Sequence, residues 1–345
     1  MRFVSFSYID PFPRAGVLIG GVVIDLAAAA PLVFEDMEDA RWRLIDILRG
    51  APEDMGIDGA AAIAAAVLDQ IGVSSVDELE ADAAENGARD RGLTGEISIG
   101  GAEMALPIDE VRLLAPLPRP PSLRDFYAFE QHVETAYRAR DRPVPPSWYE
   151  IPVFYFANHT AIYGPGADVP MPRTKALDYE LEVACVIGRA GRDIAEEDAA
   201  DYIAGYTIMN DWSARDIQRE EMSVGLGPAK GKDFATSLGP WLVTPDELAE
   251  QELGDGRYNL AMVARVNGVE RSRGNFRDIF YNFAQMIARA SRDVTLEPGD
   301  VLGSGTVGTG CLLELTAGQG PWLAVDDVVE LEVDGLGTLR NRVIL

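Results

Sequence analysis

Short apolar segments separated by turns dominate the hydrophobic pattern after residue 118. Alternating or briefly continuous apolar runs of this length are typical of strands. The predicted strands are "EVACVIGR", "GYTIMN", "PWLVT", "NLAMVARVNG", "DVLGSGT", "CLLELT", "VVELEVDG" and "GTLRNRVIL". A helix is predicted near "FRDIFYNFAQMIARAS". This part of the chain is therefore expected to be irregular and mostly β, with α insertions.

The pattern differs before residue 118. "RAGVLIGGVVIDL" predicts two strands joined by a Gly20–Gly21 turn. Residues 36–88 predict helix, from alanine-rich stretches such as "AAAIAAAVLDQI" and a helix-start pattern in "SSVDELE", and "GEISIGGAEMAL" predicts strand. The proline cluster "PLPRPPS" disfavours both helix and central strand. We therefore predict a mixed, mostly β (α+β) fold, with a small N-terminal domain over 1–117 and a larger β-rich domain over 118–345.

One predicted strand carries three acids. In "TKALDYELEVACVIGR", Asp178, Glu180 and Glu182 alternate with apolar residues, so an extended chain places all three on one face. A solvated outer face is the ordinary explanation of such alternation. The alternative is a metal site, because two carboxylates about 4 Å apart repel by about 4 kcal/mol at an effective dielectric near 20 and a cation between them reverses that penalty.

Two further stretches supply acids that could join this face. In "GYTIMNDWSARDIQRE", Asp211 ends a predicted strand just before Ser213, which we interpret as a helix N-cap; turn chemistry alone could also explain Asp211. In "SLRDFYAFEQHVETA", Asp125 precedes His132 by about two helical turns, if a helix begins there. The polar neighbours of His132 disfavour a core position, and an exposed bystander is the alternative.

Composition and charge narrow the possible partners and location. The chain has 345 residues, 47% of them hydrophobic, and a net charge of −26, which repels nucleic acids and anionic membranes. The absence of a long apolar stretch or signal-peptide pattern predicts a cytoplasmic protein. Cys185 and Cys311 lie in apolar runs, which predicts buried packing in a reducing compartment.

Lysine is rare in this sequence. Two of the three lysines, Lys230 and Lys232, lie together in "GPAKGKDF". Because a compact ammonium differs chemically from a planar guanidinium, this pair suggests a chemical role, with chance clustering as the alternative.

From about Pro118 to its C terminus, the chain resembles the fumarylacetoacetate hydrolase family. The resemblance is carried, in the family's order, by "RDFYAFEQH", "DYELEVACVIG", "MNDWSARDIQ", "GKDFATSLGPW", "LEPGDVLGSGT" and "LLEL". "MNDWSARDIQ" is close to a family signature. Residues 1–115 resemble the family's small N-terminal β domain more loosely.

The resemblance implies that one divalent cation is bound by four acids, Asp125, Glu180, Glu182 and Asp211. Ligation by oxygen alone favours Mg²⁺, with Mn²⁺ and Ca²⁺ as alternatives, over zinc. Asp178 would then be a further acid beside the ligands.

The resemblance also implies the catalytic groups. His132, paired with Glu314, would activate a water, although a strand acid with no such role is the alternative for Glu314. Lys232 would stabilise a developing enolate. The implied substrate-binding residues are Tyr127, Tyr155, Gln218, Lys232 and Thr306, and the candidates for a substrate carboxylate are Arg138, Arg140 and Arg142.

The expected activity is therefore hydrolysis of a carbon–carbon bond in a small 1,3-diketo acid of the fumarylacetoacetate or acylpyruvate type, by a metal-dependent enzyme. The alternatives are a decarboxylase, isomerase or dehydratase of a 2-oxo acid on the same metal platform, or a metal-binding module without turnover. By analogy with the family, a homodimer is expected.

Overall fold

The computed structural model describes residues 1–34, 42–50, 55–70, 98–99, 102–139 and 141–345. The chain divides into two compact units, Met1–Leu117 and Pro118–Leu345. Strands and helices are interspersed along the chain, so the mixed α+β fold expected from the sequence is confirmed. Every helix in the described ranges is too short or too polar to cross a bilayer.

The first unit contains a small antiparallel sheet and short helices. Its strands are β1 (Arg2–Ser7), β2 (Arg14–Ile19), β3 (Val22–Asp25), β4 (Ser98–Ile99), β5 (Ala102–Glu103), β6 (Ala105–Pro107) and β7 (Arg112–Leu114). Its helices are α1 (Leu26–Ala29), α2 (Leu44–Leu48) and α3 (Gly56–Gln70), with a 3-10 turn at Ala30–Leu32. Strands β6, β3, β2 and β1 are neighbours in that order, and β7 also pairs with β1.

The second unit is richer in strands. They are β8 (Leu123–Phe126), β9 (Phe154–Phe156), β10 (Ile162–Tyr163), β11 (Asp168–Pro170), β12 (Leu177–Asp178), β13 (Leu181–Ile187), β14 (Gly191–Arg192), β15 (Ile203–Asp211), β16 (Ser213–Ala214), β17 (Thr236–Val243), β18 (Ala261–Val266), β19 (Val269–Asn275), β20 (Thr295–Leu296), β21 (Val301–Gly303), β22 (Val328–Val333) and β23 (Gly337–Ile344). The helices are α4 (Glu130–Arg138), α5 (Arg215–Met222), α6 (Phe283–Ser291) and α7 (Leu312–Leu315), and the 3-10 turns are Pro146–Tyr149, Glu196–Tyr202, Pro245–Gln251 and Phe276–Asp278.

Two sheets form the body of the second unit. One has the strand order β17, β15, β13, β21, β8, β9, with β10 paired to β17, and the other has the order β11, β23, β22, β18, β19. Strands β15 and β17 lie against β22 and β23, so the two sheets share one apolar core that contains Tyr179, Trp212, Phe276 and Phe283. The central strand β13 is buried along its whole length, as a strand covered on both faces must be.

The ordinary explanation of the alternating acids, a solvated outer face, is wrong. Asp178, Glu180 and Glu182 are at most 5% exposed. The predicted strand is also interrupted, because Asp178 ends β12 and β13 starts only at Leu181, so the simple alternation of one continuous strand does not hold.

Three other local predictions are also wrong. "CLLELT" contains helix α7 rather than a strand, and Asp125 lies on β8, with the helix that carries His132 starting only at Glu130. Ser213 is not the N-cap of α5: Ala214 holds that position without a side-chain bond, while the Ser213 hydroxyl donates to the carbonyl of Asp211. Of the helix predicted over 36–88, α2 and α3 are observed. The "SSVDELE" start pattern lies outside the described residues.

Candidate active site

Strands β8, β13 and β15 of one sheet, with β21 between β8 and β13, bring the predicted metal acids together. Glu182 lies on β13, Asp211 ends β15, and Asp125 lies on β8. In the antiparallel register Leu181 faces Asn210, so Glu180 comes opposite Asp211. The amide of Glu180 also donates to the side-chain oxygen of Asn210 at 3.0 Å, which fixes the start of the strand. Pairing of β13 with β15, and of β21 with β8, thus sets the positions of all four acids.

A glycine makes room for one of these acids. Gly303 pairs with Asp125 across the parallel strands β21 and β8. A Cβ at Gly303 would lie 2.5 Å from Asp125 Oδ1 and 2.2 Å from the end of the Met209 side chain. Only glycine therefore leaves space for the Asp125 carboxylate in its observed position.

The four carboxylates form one buried cluster. Asp125, Glu180, Glu182 and Asp211 are at most 5% exposed, and one oxygen from each lies within 4.8 Å of the others. Oδ1 of Asp125 and Oδ1 of Asp211 are buried without a hydrogen-bond partner. Buried oxygens of this kind are costly unless a proton or a cation satisfies them.

Burial and mutual repulsion shift the pKa values of the four acids unequally. Burial, reinforced by the charge of Asp211, raises the pKa of Asp125 well above its usual value, and burial with the charges of Asp125 and Asp211 does the same to the pKa of Glu182. Burial also raises the pKa of Asp211, although Lys232 opposes the rise. Burial opposes ionisation of Glu180 too, but the charges of Lys232 and Arg215 outweigh it and lower its pKa.

Lys232 is the cation closest to this cluster. Its ammonium lies 2.5 Å from Glu180 Oε2 and 2.5 Å from Asp211 Oδ2. Burial disfavours the charge, but these two carboxylates dominate and raise the pKa of Lys232 above its usual value. Lys232 is therefore cationic at neutral pH, and one of its three N–H groups is free for another acceptor. Lys230, the other lysine of the pair, instead bonds Asp233 on the surface.

The side chains of Tyr155 and Thr306 also place hydroxyl groups beside the acid cluster. The Tyr155 hydroxyl donates to Asp211 Oδ2 at 2.8 Å, and burial beside Asp211 and Asp125 raises the pKa of Tyr155 well above its usual value, so the phenol remains a donor. Glu182 accepts the amide of Gly305 at 3.1 Å and lies 3.5 Å from the Thr306 hydroxyl.

His132 and Glu314 meet from different helices. His132 Nδ1 lies 2.5 Å from Glu314 Oε1, and the other oxygen of Glu314 accepts the amide of Thr309 at 3.1 Å. The His132 ring packs edge-on against Tyr127, with the ring centroids 5.3 Å apart. Because Glu314 occupies Nδ1, Nε2 is the ring nitrogen left to exchange a proton in the cavity.

One cavity of about 280 Å³ is lined by three of the four acids, by His132 and by the predicted substrate-binding residues. Among its lining residues are Asp125, Tyr127, His132, Tyr155, Glu180, Glu182, Gln218, Lys232 and Thr306. The structure therefore brings together nearly all the residues singled out in the sequence. Glu314 reaches this space through His132, and Asp211 through Tyr155 and Lys232.

A second cavity of about 730 Å³ adjoins the first, since Arg215, Gln218 and Leu313 line both. Arg142 and Arg219 also line it, and among the residues that the structure describes no acid does. Of the three arginines considered as carboxylate partners, Arg142 is therefore the one beside this cavity. Arg138 is 77% exposed and pairs with Glu134, and Arg140 lies outside the described residues.

Arg215 was not assigned a role from the sequence. It is buried, and its Nη2 lies 2.8 Å from both Asp178 Oδ2 and Glu180 Oε1, while Nη1 donates to Gln218 at 3.1 Å. It lies inside the motif "MNDWSARDIQ", three residues before Gln218 on the same helix, so the i,i+3 spacing was the available signal.

The cluster fits a hard divalent cation. All the donor atoms are carboxylate oxygens, two of them without a partner, and this donor set suits Mg²⁺, Mn²⁺ or Ca²⁺. Oxygens on opposite sides of Mg²⁺ lie about 4.2 Å apart, and those around Ca²⁺ up to about 5.2 Å. The four oxygens all lie within 4.8 Å of one another, so they are close enough together for one such cation to contact them.

Comparisons with known proteins identify a family and individual proteins that the second unit resembles. The fumarylacetoacetate hydrolase C-terminal family matches residues 122–344. The chain is 34% identical over 248 residues to a fumarylacetoacetase of Arabidopsis thaliana, covering 57% of this chain and 59% of that one. It is 31% identical over 241 residues to an oxaloacetate tautomerase of Bacillus subtilis, covering 68% and 74%. The chain thus spans less than two thirds of the length of the plant enzyme.

A solved structure extends the similarity to the whole chain. The fumarylacetoacetate hydrolase of the psychrophile Exiguobacterium antarcticum aligns with a TM-score of 0.67 at 25% identity, covering 100% of this chain and 99% of that one.

Replacing any one of Glu180, Glu182 or Asp211 by Ala should remove most bound metal, because each change deletes a ligand from the cluster. A cation at a hundred times its Kd stabilises the fold by about 2.7 kcal/mol, so EDTA should lower the Tm of the wild type and not that of the variants. Metal analysis after dialysis and thermal unfolding measure both effects. Asp233→Ala, which removes a surface acid beside Lys230, is the matched control. Full occupancy in all three variants would contradict the site.

Metal binding should release protons. The raised pKa values of Asp125 and Glu182 mean that the metal-free cluster retains protons at a pH where ordinary carboxyls are ionised, and a cation must displace them. The affinity for Mg²⁺ should therefore increase as the pH rises towards these pKa values. Calorimetry at neutral pH in buffers of different ionisation enthalpy measures the released protons. A binding enthalpy independent of the buffer would argue against protonated acids.

Proposed function

Because the chain belongs to the fumarylacetoacetate hydrolase family, we propose that it hydrolyses a carbon–carbon bond in a small 1,3-diketo acid. The observation that carries this proposal is the His132–Glu314 pair, which lies beside the four-acid cluster and Lys232 in one cavity. Hydrolysis needs an activated water as well as stabilisation of a carbanionic leaving group, and the cavity offers groups suited to both.

His132 is the proposed general base. Glu314 holds Nδ1, so Nε2 takes a proton from water as the water oxygen bonds to the substrate carbonyl carbon. Glu314 stabilises the resulting imidazolium, as a buried carboxylate does for a catalytic histidine. The carbon–carbon bond then breaks, its electron pair leaves with the adjacent carbon as an enolate, and His132 can return the proton to that carbon.

Lys232 and Gln218 are the proposed enolate partners. The ammonium of Lys232 keeps one N–H beyond those used by Glu180 and Asp211, and Gln218 lines the same cavity. Positive charge placed where negative charge develops stabilises the transition state more than the ground state. We propose that Mg²⁺, held by Asp125, Glu180, Glu182 and Asp211, supplies Lewis-acid polarisation of the substrate oxygens when it is bound.

We propose that the distal part of the substrate lies in the larger cavity. Arg142 and Arg219 line it with no acid among the other described lining residues, although the chain carries a net charge of −26. Two guanidinium groups facing such a space suit a second, distal carboxylate. Tyr127, Tyr155 and Thr306 remain the proposed hydroxyl contacts in the inner cavity.

Oxaloacetate tautomerisation is the second candidate. The relative of that name is covered over 74% of its length, more than the plant fumarylacetoacetase. A tautomerase moves a proton between carbon and oxygen and adds no water. One assay distinguishes hydrolysis from tautomerisation. Acylpyruvates, fumarylacetoacetate and oxaloacetate are each incubated with the protein in H₂¹⁸O, with each metal in turn, and the reaction is followed by ultraviolet absorbance. Hydrolysis places ¹⁸O in the carboxylate product, and tautomerisation produces no cleavage product.

His132→Ala and Glu314→Gln should each reduce diketone cleavage by about two to four orders of magnitude, the usual contribution of a positioned general base. Metal content should stay near that of the wild type, because neither side chain belongs to the four-acid cluster. Steady-state kinetics and metal analysis on the same samples test this.

Lys232→Met is the informative comparison, because it should impair every reaction that passes through an enolate. If the wild type turns over oxaloacetate but cleaves no diketone, and His132→Ala leaves the oxaloacetate turnover unchanged, the tautomerase is favoured.

Arg142→Gln should raise the KM for substrates with a distal second carboxylate by about 10- to 100-fold, since a hydrogen bond to a charged group contributes about 1.5–3 kcal/mol. Substrates with a single carboxylate should be affected little. Arg138→Gln is the matched control, because Arg138 is exposed and does not line the larger cavity. Equal effects of Arg142→Gln on both substrate types would place the second carboxylate elsewhere.

A further inference from the structure

Asp178 lies where three separate segments of the second unit meet. It is fully buried and ends β12, which pairs with β16 so that Asp178 faces Ser213. The amide of Arg215 donates to the carbonyl of Ala176 at 2.9 Å, so this short ladder leads directly into helix α5. Helix α7 begins against the same side chain.

The two oxygens of Asp178 accept from several donors. Oδ1 accepts the amides of Tyr179 at 2.9 Å and Leu312 at 2.8 Å. Oδ2 accepts the amide of Leu313 at 3.0 Å and Nε of Arg215 at 2.8 Å, and Nη2 of Arg215 lies at the same distance. No proton donor remains on an ionised carboxylate, so both oxygens can be used in this way.

Most of these donors lie on α7 and α5, the helices that carry the proposed site residues Glu314 and Gln218. Leu312 and Leu313 are the first residues of α7, whose N-cap residue Cys311 makes no side-chain cap bond, so Asp178 caps the helix that carries Glu314. Arg215 connects Asp178 to the acid cluster through Glu180 and to Gln218 on α5.

We propose that Asp178 is a positioning residue that holds Glu314 in hydrogen-bond reach of His132 and, through Arg215, holds Gln218 and Glu180 in place. It touches neither the water nor the substrate. The inference rests on the proposed hydrolase function for its kinetic test, and on geometry alone for its spectroscopic one.

An amide cannot replace this carboxylate. Asn at position 178 could present one oxygen to Leu312, but its NH₂ group would then face the Leu313 amide and the Arg215 guanidinium, donor against donor. The start of α7 and Arg215 would both lose a partner, while the four carboxylates of the acid cluster remain unchanged. Loss of such supporting partners typically lowers activity by about 10- to 100-fold.

Asp178→Asn in the magnesium-loaded protein should lower kcat for diketone cleavage by about 10- to 100-fold, with KM changed by less than about threefold and with metal content retained. Asp216→Asn is the matched control: Asp216 lies on α5 next to Arg215, but it bonds Thr174 and Lys175 outside the cavity. Asp178→Ser, which can still accept from one amide of α7, repeats the test if the Asn variant does not fold.

The His132 ring gives a readout independent of turnover. The chain has two histidines, and the other, His159, is exposed, so ¹⁵N-histidine labelling leaves few signals to assign. A proton shared in a short hydrogen bond is deshielded, so the Nδ1 proton of His132 should resonate far downfield. In Asp178→Asn this resonance should move upfield or broaden, whereas in Asp216→Asn it should stay in place.

The proposal would be overturned if Asp178→Asn had the same downfield His132 resonance and the same kcat as the wild type. So would an activity loss fully recovered by excess Mg²⁺, because Asp178 would then act on metal affinity alone. If the wild type cleaves no diketone, the hydrolase function fails, and the His132 resonance by itself still decides whether Asp178 positions the pair.

Discussion

Repulsion among four buried carboxylates is the constraint on which the rest of the catalytic unit depends. One oxygen of each lies within 4.8 Å of the others, and at such separations each ionised pair costs about 4 kcal/mol at an effective dielectric near 20. Lys232 and Arg215 offset only part of that cost. Protons or a cation must supply the remaining positive charge, and burial together with this repulsion raises the pKa values of Asp125 and Glu182. A rigid scaffold is required to keep these charges together, and the hydrogen-bonded strands of one buried sheet supply it.

The acids and the His132–Glu314 pair are supported differently. The acids lie on or beside β8, β13 and β15, inside a ladder of backbone hydrogen bonds, whereas His132 and Glu314 lie on the helices α4 and α7. The four residues of α7 form too short a helix to be stable alone. Its orientation therefore depends on contacts with the sheet, and Asp178 provides one of them.

The sequence identified which residues meet in the candidate site better than it predicted their local structure. The motifs that carry the family resemblance selected Asp125, Glu180, Glu182, Asp211 and His132 together, and the structure places them close to one another. The shape of "LLELT" could not be predicted, because its helix depends on a cap from Asp178, 134 residues away in sequence. Burial of Asp178 was also missed, since alternation with apolar residues looks the same whether the polar face meets water or Arg215.

Separate supports for the cation site and the general base have a chemical consequence. In the proposed function, carbonyl polarisation and enolate stabilisation depend on the acid cluster, a bound cation and Lys232, whereas cleavage by water also depends on the His132–Glu314 pair. Substitutions on α4 or α7 can therefore change the reaction without disturbing the strands that carry the acids. A fumarylacetoacetase and an oxaloacetate tautomerase both align with this chain. Divergence of that kind is expected when the electrostatically costly part of a site is fixed in a sheet and the water-activating part is held by a few side-chain contacts.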